Sequence, residues 1–196
     1  MDERTTTALL NGLHEPGNDQ AWLDLDARCR PIMLAVARRL GLRETEAEDV
    51  VQSAMTNFVQ SYRQGKYQRE RGRLSAYLVT ILRSRAMDHW RRNNRHEAHG
   101  PACEACEQLS DTQVTRIWFD ERQNQLLRQA IDELREHGAD EGMISAFELF
   151  GIRGVDIGEV TSRLGMTREE VYNAKYRITQ RLRPIVARLD DLYEDL

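Results

Sequence analysis

The stretch that decides the fold reads TEAEDVVQSAMTNFVQSY over residues 45–62 and RQGKYQRERGRLSAYLVTILRSRAMDHWRRNNR over residues 63–95. In its first part, apolar residues recur at spacings of three and four, which places them on one face of an α-helix. They are Ala47, Val50, Val51, Ala54, Met55, Phe58, Val59 and Tyr62. We predict a helix that begins near Thr45, is capped by the Thr45 and Glu48 side chains, and buries this face.

The opposite face of this helix carries Glu48, Asp49 and Gln52. Most charged stripes on helices are ordinary solvated surface. Two carboxylates and an amide on one face can also bind a partner protein. We therefore predict that this stripe is a candidate docking surface.

A second helix is predicted from about Leu74, with a buried stripe of Leu74, Tyr77, Leu78, Ile81, Leu82, Ala86 and Trp90. Residues 63–95 contain ten lysines and arginines, against only two acids, Glu70 and Asp88. The loop between the helices places Tyr67 among cations. Such local positive charge, in a chain whose net charge is −4, predicts a groove for a polyanion.

Composition favours a small all-α protein. The chain has 196 residues, and almost every apolar stretch has helical spacing. No apolar stretch approaches the roughly 20 residues that span a bilayer, and the polar start differs from a signal peptide, so we expect a cytoplasmic protein. Three cysteines, Cys29, Cys103 and Cys106, are too few and too unevenly placed for a disulfide framework.

The remaining segments predict two small helical domains joined by a flexible linker, with boundaries at residues 1–95, 96–114 and 115–196. Helices are expected over residues 19–40, 115–137 and 143–150. A compact helix over residues 156–164, a turn at Gly165 and a long helix from Arg168 then form a predicted helix-turn-helix. The acidic tail, Asp190, Asp191, Glu194 and Asp195, is expected to be solvated.

The linker carries His96, His99, Cys103 and Cys106. Imidazole and thiolate are suitable zinc ligands, and four of them would complete a tetrahedral site. Two cysteines at this spacing are also typical of a reversible dithiol switch, or have no chemical role. The sequence leaves these alternatives open, so zinc is the one candidate cofactor.

Two segments resemble the sigma-70 factors of bacterial RNA polymerase, and specifically their small extracytoplasmic-function (ECF) group. The first segment is similar to region 2 of that family. It comprises Ala47-Glu48-Asp49-Val50-Val51-Gln52, residues 72–78, Asp88, Arg91 and Arg92. Residues 157–160, 164–167 and Val171 are similar to its region 4. The resemblance implies a sigma factor that binds core polymerase and directs promoter recognition.

The resemblance also implies roles for particular residues. Glu48, Asp49 and Gln52 would bind the β′ clamp helices of the polymerase. The minus-ten element would contact Lys66, Tyr67, Arg71, Arg73, Ser84, Asp88, Arg91 and Arg92. The minus-thirty-five element would contact Arg168, Tyr172, Asn173, Lys175, Tyr176 and Arg177. The implied partners are core polymerase, including its β flap, and promoter DNA, with an anti-sigma factor as a further candidate.

The chain departs from the family pattern at the start of its second DNA-binding helix. Glu169 and Glu170 stand where the family usually has glycine and threonine. Two carboxylates at this position would repel phosphates unless they cap the helix or accept a hydrogen bond from cytosine.

Two other hypotheses remain open from the sequence. A stand-alone helix-turn-helix regulator would explain the C-terminal half, but would leave the Glu48, Asp49 and Gln52 stripe without a role. A metal- or redox-sensing interaction protein would centre on Cys103 and Cys106. We do not expect an enzyme, because no catalytic set of serine, histidine and carboxylate, no phosphate loop and no paired carboxylates stand at a recognisable spacing.

Overall fold

The computed structural model describes residues 6–15, 17–93, 109–194 and 196. The α-helices are α1 (Thr6–Gly12), α2 (Asp19–Arg39), α3 (Glu44–Arg63), α4 (Leu74–Asn93), α5 (Asp111–Glu136), α6 (Glu141–Ala146), α7 (Ile157–Leu164) and α8 (Arg168–Leu192). A 3-10 turn covers Arg69–Arg71, and a π-helical segment covers Phe147–Ile152. The described residues contain no strand, and the all-α prediction is confirmed.

Contacts group the chain into two compact units. Unit 1 comprises Met1–Gln125 with Leu192–Leu196, and unit 2 comprises Leu126–Asp191. The predicted domain boundaries, which rest on composition, stay a prediction, because the predicted linker lies mostly outside the described residues. None of the described helices combines the length and the apolar character that a membrane span requires.

The core of unit 1 is built on α2, α3 and α4. The predicted apolar face of α3 is buried except for the half-buried Val59, and α4 buries Leu74, Leu78, Val79, Ile81, Leu82, Ala86 and Trp90. Burying each valine, leucine, isoleucine, phenylalanine or methionine among them contributes roughly 1.5–3 kcal/mol, and each alanine contributes less. The packing leaves the polar faces of α3 and α4 exposed to solvent.

The capping of α3 differs from the prediction. The helix begins at Glu44, one residue before Thr45, and Glu46 takes the place predicted for Glu48. The Arg43 backbone N–H donates to Glu46 Oε2 at 2.9 Å, and the Arg43 side chain donates to Oε1 at 2.6 Å. Glu46, three residues after Arg43, thus satisfies the Arg43 backbone N–H, whereas the Arg43 guanidinium, which carries only donors, caps no amide of the first turn. Glu48 is therefore not needed as a cap.

The C-terminal residues complete unit 1. Thr6 Oγ1 donates to the Leu192 carbonyl at 3.0 Å, and Arg28 Nη1 donates to the same oxygen at 2.5 Å. Arg122 Nη2 donates to the Tyr193 carbonyl at 3.1 Å. Asp190, Asp191 and Glu194 are exposed, as predicted, but Leu192, Tyr193 and Leu196 are buried. The expectation of a solvated acidic tail therefore holds for these three acids, and Asp195 lies outside the described residues.

Unit 2 contains the predicted helix-turn-helix. Asp156 caps α7 by accepting from the Gly158 N–H at 2.7 Å, and Gly165 turns the chain with φ 65° before α8. Val160, Val171, Ala174, Ile178 and Leu182 are buried.

Two helix boundaries differ from the prediction. Helix α5 begins at Asp111, four residues before the predicted 115. The predicted helix over residues 143–150 is α-helical only to Ala146 and continues as the π-helical segment. Apolar spacing does not separate these two kinds of helix, because both can bury one face.

Candidate protein-binding and nucleic-acid-binding surfaces

The docking stripe, Glu48, Asp49 and Gln52, is exposed on α3, as the sequence predicts. Among the residues that the structure describes, the carboxylates of Glu48 and Asp49 have no hydrogen bond or ion pair. Beside them runs an open groove of about 430 Å³, lined by Asp49, Gln52, Ser53, Thr56, Asn57, Gln60 and Arg85. The stripe therefore offers two unused carboxylates at the edge of a polar groove.

Gln52 is held from the neighbouring helix. Arg30 Nη2 on α2 donates to Gln52 Oε1 at 3.0 Å. Arg30 is fixed in turn by Asp26, which accepts from Nε at 2.7 Å and from Nη2 at 2.8 Å. The apolar pattern that defines α3 carries no information about these contacts, so sequence analysis missed Arg30 and Asp26.

The loop between α3 and α4 forms a pocket of about 260 Å³. Its lining includes four of the residues predicted to contact the minus-ten element, Lys66, Tyr67, Arg71 and Arg73, together with Gln68, Gly72, Ala76, Tyr77 and Thr80. The structure thus brings these four predicted residues together. The pocket has aromatic and cationic walls, which suit an unstacked base and its phosphate.

Tyr67 belongs to an aromatic cluster at the wall of this pocket. Its ring stacks on Tyr62 at a centroid distance of 6.1 Å and packs against Tyr77 at 5.3 Å. Phe58 contacts all three tyrosines, and Tyr67 is half-buried. Burial raises the pKa of Tyr62 to about 12. This packing fixes the plane of the Tyr67 ring before any ligand binds.

A second groove, of about 510 Å³, runs along the outer face of α4. It is lined by Thr80, Arg83, Ser84, Met87, Asp88, Arg91 and by Asp111 from the start of α5. Three residues of the predicted minus-ten set, Ser84, Asp88 and Arg91, therefore meet in one groove. Arg83 and Asp111 form an ion pair across it.

Arg92 lies apart from this groove. It lines another groove, with Asp49, Val50, Ser53, Arg85 and His89, on the side of the docking stripe. Its Nε donates to the Asp88 carbonyl at 3.1 Å. The structure therefore separates Arg92 from Arg91, its neighbour in the sequence.

In unit 2, the residues predicted to contact the minus-thirty-five element are all exposed on α8: Arg168, Tyr172, Asn173, Lys175, Tyr176 and Arg177. Phe150 of the π-helical segment packs edge-on against Tyr172 at 5.4 Å, and Lys175 Nζ lies 4.9 Å from the centre of the Phe150 ring. Sequence analysis missed Phe150, because the helix register there changes from α to π.

Of the two glutamates at the start of α8, Glu170 caps the helix. Glu170 Oε2 accepts from the Thr167 N–H at 2.7 Å and from the Thr167 hydroxyl at 2.9 Å. The Glu170 N–H donates to the Thr167 hydroxyl at 3.2 Å, which completes a capping box. These hydrogen bonds lower the pKa of Glu170. Glu170 therefore caps the helix, which is one of the two arrangements that make its charge compatible with DNA.

The predicted metal ligands His96, His99, Cys103 and Cys106 lie outside the described residues. Within the described ranges, no group of three or more histidine, cysteine and acidic side chains could hold a metal ion.

Comparison with protein-family models identifies residues 25–96 as Sigma-70 region 2. The matched segment runs from α2 through α4, and contains the docking stripe, the loop pocket and the α4 groove. No curated protein and no solved structure matches the chain. Residues 25–96 are thus identified as a Sigma-70 region 2 domain within the chain.

Proposed function

We propose that the protein is a sigma factor of the extracytoplasmic-function group, which binds core RNA polymerase and directs it to promoters. The observation that carries this proposal is that one sigma-70 region 2 carries both the exposed docking stripe on α3 and a cation-lined groove on α4. A stand-alone DNA-binding regulator has no use for such a stripe. We expect the protein to act in the cytoplasm.

The docking stripe is proposed to bind the β′ clamp helices. Glu48 and Asp49 make no ion pair with any described residue, so both carboxylates can pair with a basic partner, although Arg85 lies in the groove beside Asp49. Region 2 carries this stripe on a packed helix, so its geometry exists before the polymerase binds. The β flap and an anti-sigma factor are further proposed partners of the chain.

The loop pocket and the α4 groove are proposed to bind the minus-ten element as separated strands. The Tyr67 ring would stack on a base, a contact worth roughly 1–3 kcal/mol. Lys66, Arg71, Arg73 and Arg91 would follow the phosphates. Arg92 lines another groove, so we assign it to the region beside the docking stripe.

Unit 2 is proposed to read the minus-thirty-five element through α8. Tyr172, Asn173, Lys175, Tyr176 and Arg177 are exposed on this helix, as a major-groove reader requires. Sigma factors in general are not enzymes, and the proposed role needs no catalytic group or cofactor. Zinc at His96, His99, Cys103 and Cys106 stays a separate prediction about the linker.

The test is run-off transcription with purified core polymerase and promoter DNA taken from upstream of the protein's own gene. A promoter of proven activity serves as the positive control. Wild type should give transcript, and Asp49→Ala with Gln52→Ala should reduce it about tenfold or more, because both partner contacts are lost. Asp24→Ala with Gln20→Ala is the matched control, since it removes the same residue types from the surface of α2. Equal transcript from both double variants would contradict the docking role.

A further inference from the structure

Arg30 occupies an unusual place beside the docking stripe. It lies on α2, a helix on which the resemblance assigns no docking residue. Asp26, four residues earlier on α2, accepts two hydrogen bonds from its guanidinium. The solvent-exposed fraction of each side chain is about a third, at 32% for Arg30 and 30% for Asp26. The pair is therefore ordered but still reaches the surface.

The contact between Arg30 and Gln52 fixes the direction of the Gln52 amide. A guanidinium carries only donors, so the atom that faces Arg30 at 3.0 Å must be the amide oxygen. The amide nitrogen is then turned away from Arg30. It makes no hydrogen bond with any residue of the described ranges, and Gln52 is exposed. Gln52 thus presents two N–H donors to a partner.

Glu48 and Asp49 present the opposite chemistry. Their carboxylates accept hydrogen bonds and attract cations. The stripe therefore has two parts, an acidic part at Glu48 and Asp49 and a donor part at Gln52. A partner that matches both parts must carry a basic side chain and, next to it, an exposed acceptor.

We propose that Arg30 is a positioning residue that makes Gln52 a hydrogen-bond donor. The polymerase surface that binds here then carries a basic side chain, for Glu48 and Asp49, and next to it a carboxylate or amide oxygen that accepts from Gln52. This inference rests on the proposed docking function and specifies the chemistry of its partner. Arg30 acts through Gln52 and does not itself contact the partner.

Gln52→Glu tests the donor assignment. The glutamate keeps the length of the side chain and still accepts from Arg30, but its outward oxygen cannot donate. We expect its affinity for core polymerase, measured by fluorescence anisotropy of a labelled protein, to fall at least as far as that of Gln52→Ala. Wild-type affinity for Gln52→Glu, together with weakened binding by Gln52→Ala, would overturn the assignment.

Arg30→Met tests the positioning role. The variant keeps an apolar stem but loses every donor, so Gln52 becomes free to turn. We expect binding about 3- to 10-fold weaker, the worth of one hydrogen bond, and no further loss when Arg30→Met is added to Gln52→Ala. Arg38→Met is the matched control, because it removes a different arginine of α2 that pairs with α3, at Glu44.

The outcomes separate this inference from the docking function. If Gln52→Ala weakens binding and Arg30→Met does not, docking stands and the positioning role is wrong. If Arg30→Met weakens binding equally in the wild-type protein and in the Gln52→Ala variant, Arg30 acts directly on the partner and the proposal is overturned. If Gln52→Ala binds as wild type does, both the inference and the role of Gln52 in docking fail.

Discussion

At the scale of single residues, the start of α3 decides which carboxylates are left for a partner. Glu46 accepts hydrogen bonds from the Arg43 guanidinium and backbone N–H, and these hydrogen bonds hold the pKa of Glu46 at about 2, below its usual 4.5. His89 of α4 also approaches this carboxylate, at 3.7 Å. Because Glu46 serves the helix, Glu48 and Asp49 remain unused and can serve a partner.

Glu46 should therefore make stability depend on pH. Its pKa is lower in the folded chain than in the unfolded chain, so its contribution is present above about pH 4.5 and is lost as the pH falls towards 2. We expect Glu46→Gln to lower the free energy of unfolding by about 1 kcal/mol at pH 7 and to flatten this dependence. Urea denaturation at pH 7, 4 and 3 measures both effects.

Glu48→Gln is the control for this prediction, since Glu48 is exposed on the same helix and has no described partner. It should change stability by less than about 0.5 kcal/mol at any of these pH values. The capping assignment would be wrong if the two variants lost the same stability, or if Glu46→Gln kept the wild-type dependence on pH.

At the scale of elements, apolar spacing predicts α3 and α4 well because burial of one face dominates their stability. Apolar spacing predicts less about which other helices pack against α3 and α4. The residues of the α4 groove can be predicted from their common helix face, but Asp111 enters the groove from α5, 20 or more residues later in the chain. Nothing in the local sequence of α4 specifies this contact.

The ion pair between Arg83 and Asp111 predicts that the start of α5 competes with nucleic acid. A phosphate that binds Arg83 must displace the Asp111 carboxylate and lie close to its charge. We expect Asp111→Asn to bind single-stranded minus-ten DNA about 2- to 5-fold more tightly, since an exposed ion pair is worth up to roughly 1 kcal/mol. Anisotropy titrations at two salt concentrations measure this change.

The control variant is Asp120→Asn, which makes the same change in net charge at an exposed position of the same helix. It should alter affinity less than Asp111→Asn does. Adding Arg83→Gln should abolish the difference between Asp111→Asn and wild type. Equal gains for the two aspartate variants would mean that net charge alone, and not the groove, determines the effect.

At the scale of the whole molecule, contacts join the two ends of the chain in unit 1. A pattern of acidic residues predicts solvated surface for the tail, but it does not detect that Tyr193 and Leu196 are buried. Arg28 and Arg122 are only 2% and 8% exposed, and they donate to carbonyls of Leu192 and Tyr193. These contacts link residues more than 70 positions apart, beyond the reach of local periodicity.

Removing Tyr193–Leu196 should therefore destabilise unit 1 although it removes no residue of region 2. The deletion empties the space of two buried side chains, withdraws the ring that lies 5.1 Å from the Arg28 guanidinium, and takes an acceptor from the buried Arg122. We expect the free energy of unfolding to fall by about 3 kcal/mol or more.

All three tryptophans, Trp22, Trp90 and Trp118, belong to unit 1, so urea denaturation followed by intrinsic fluorescence reports on this unit. Glu194→Gln, which changes an exposed side chain of the same segment, should leave the midpoint almost unchanged. A truncated chain as stable as wild type would exclude the tail from the core of unit 1.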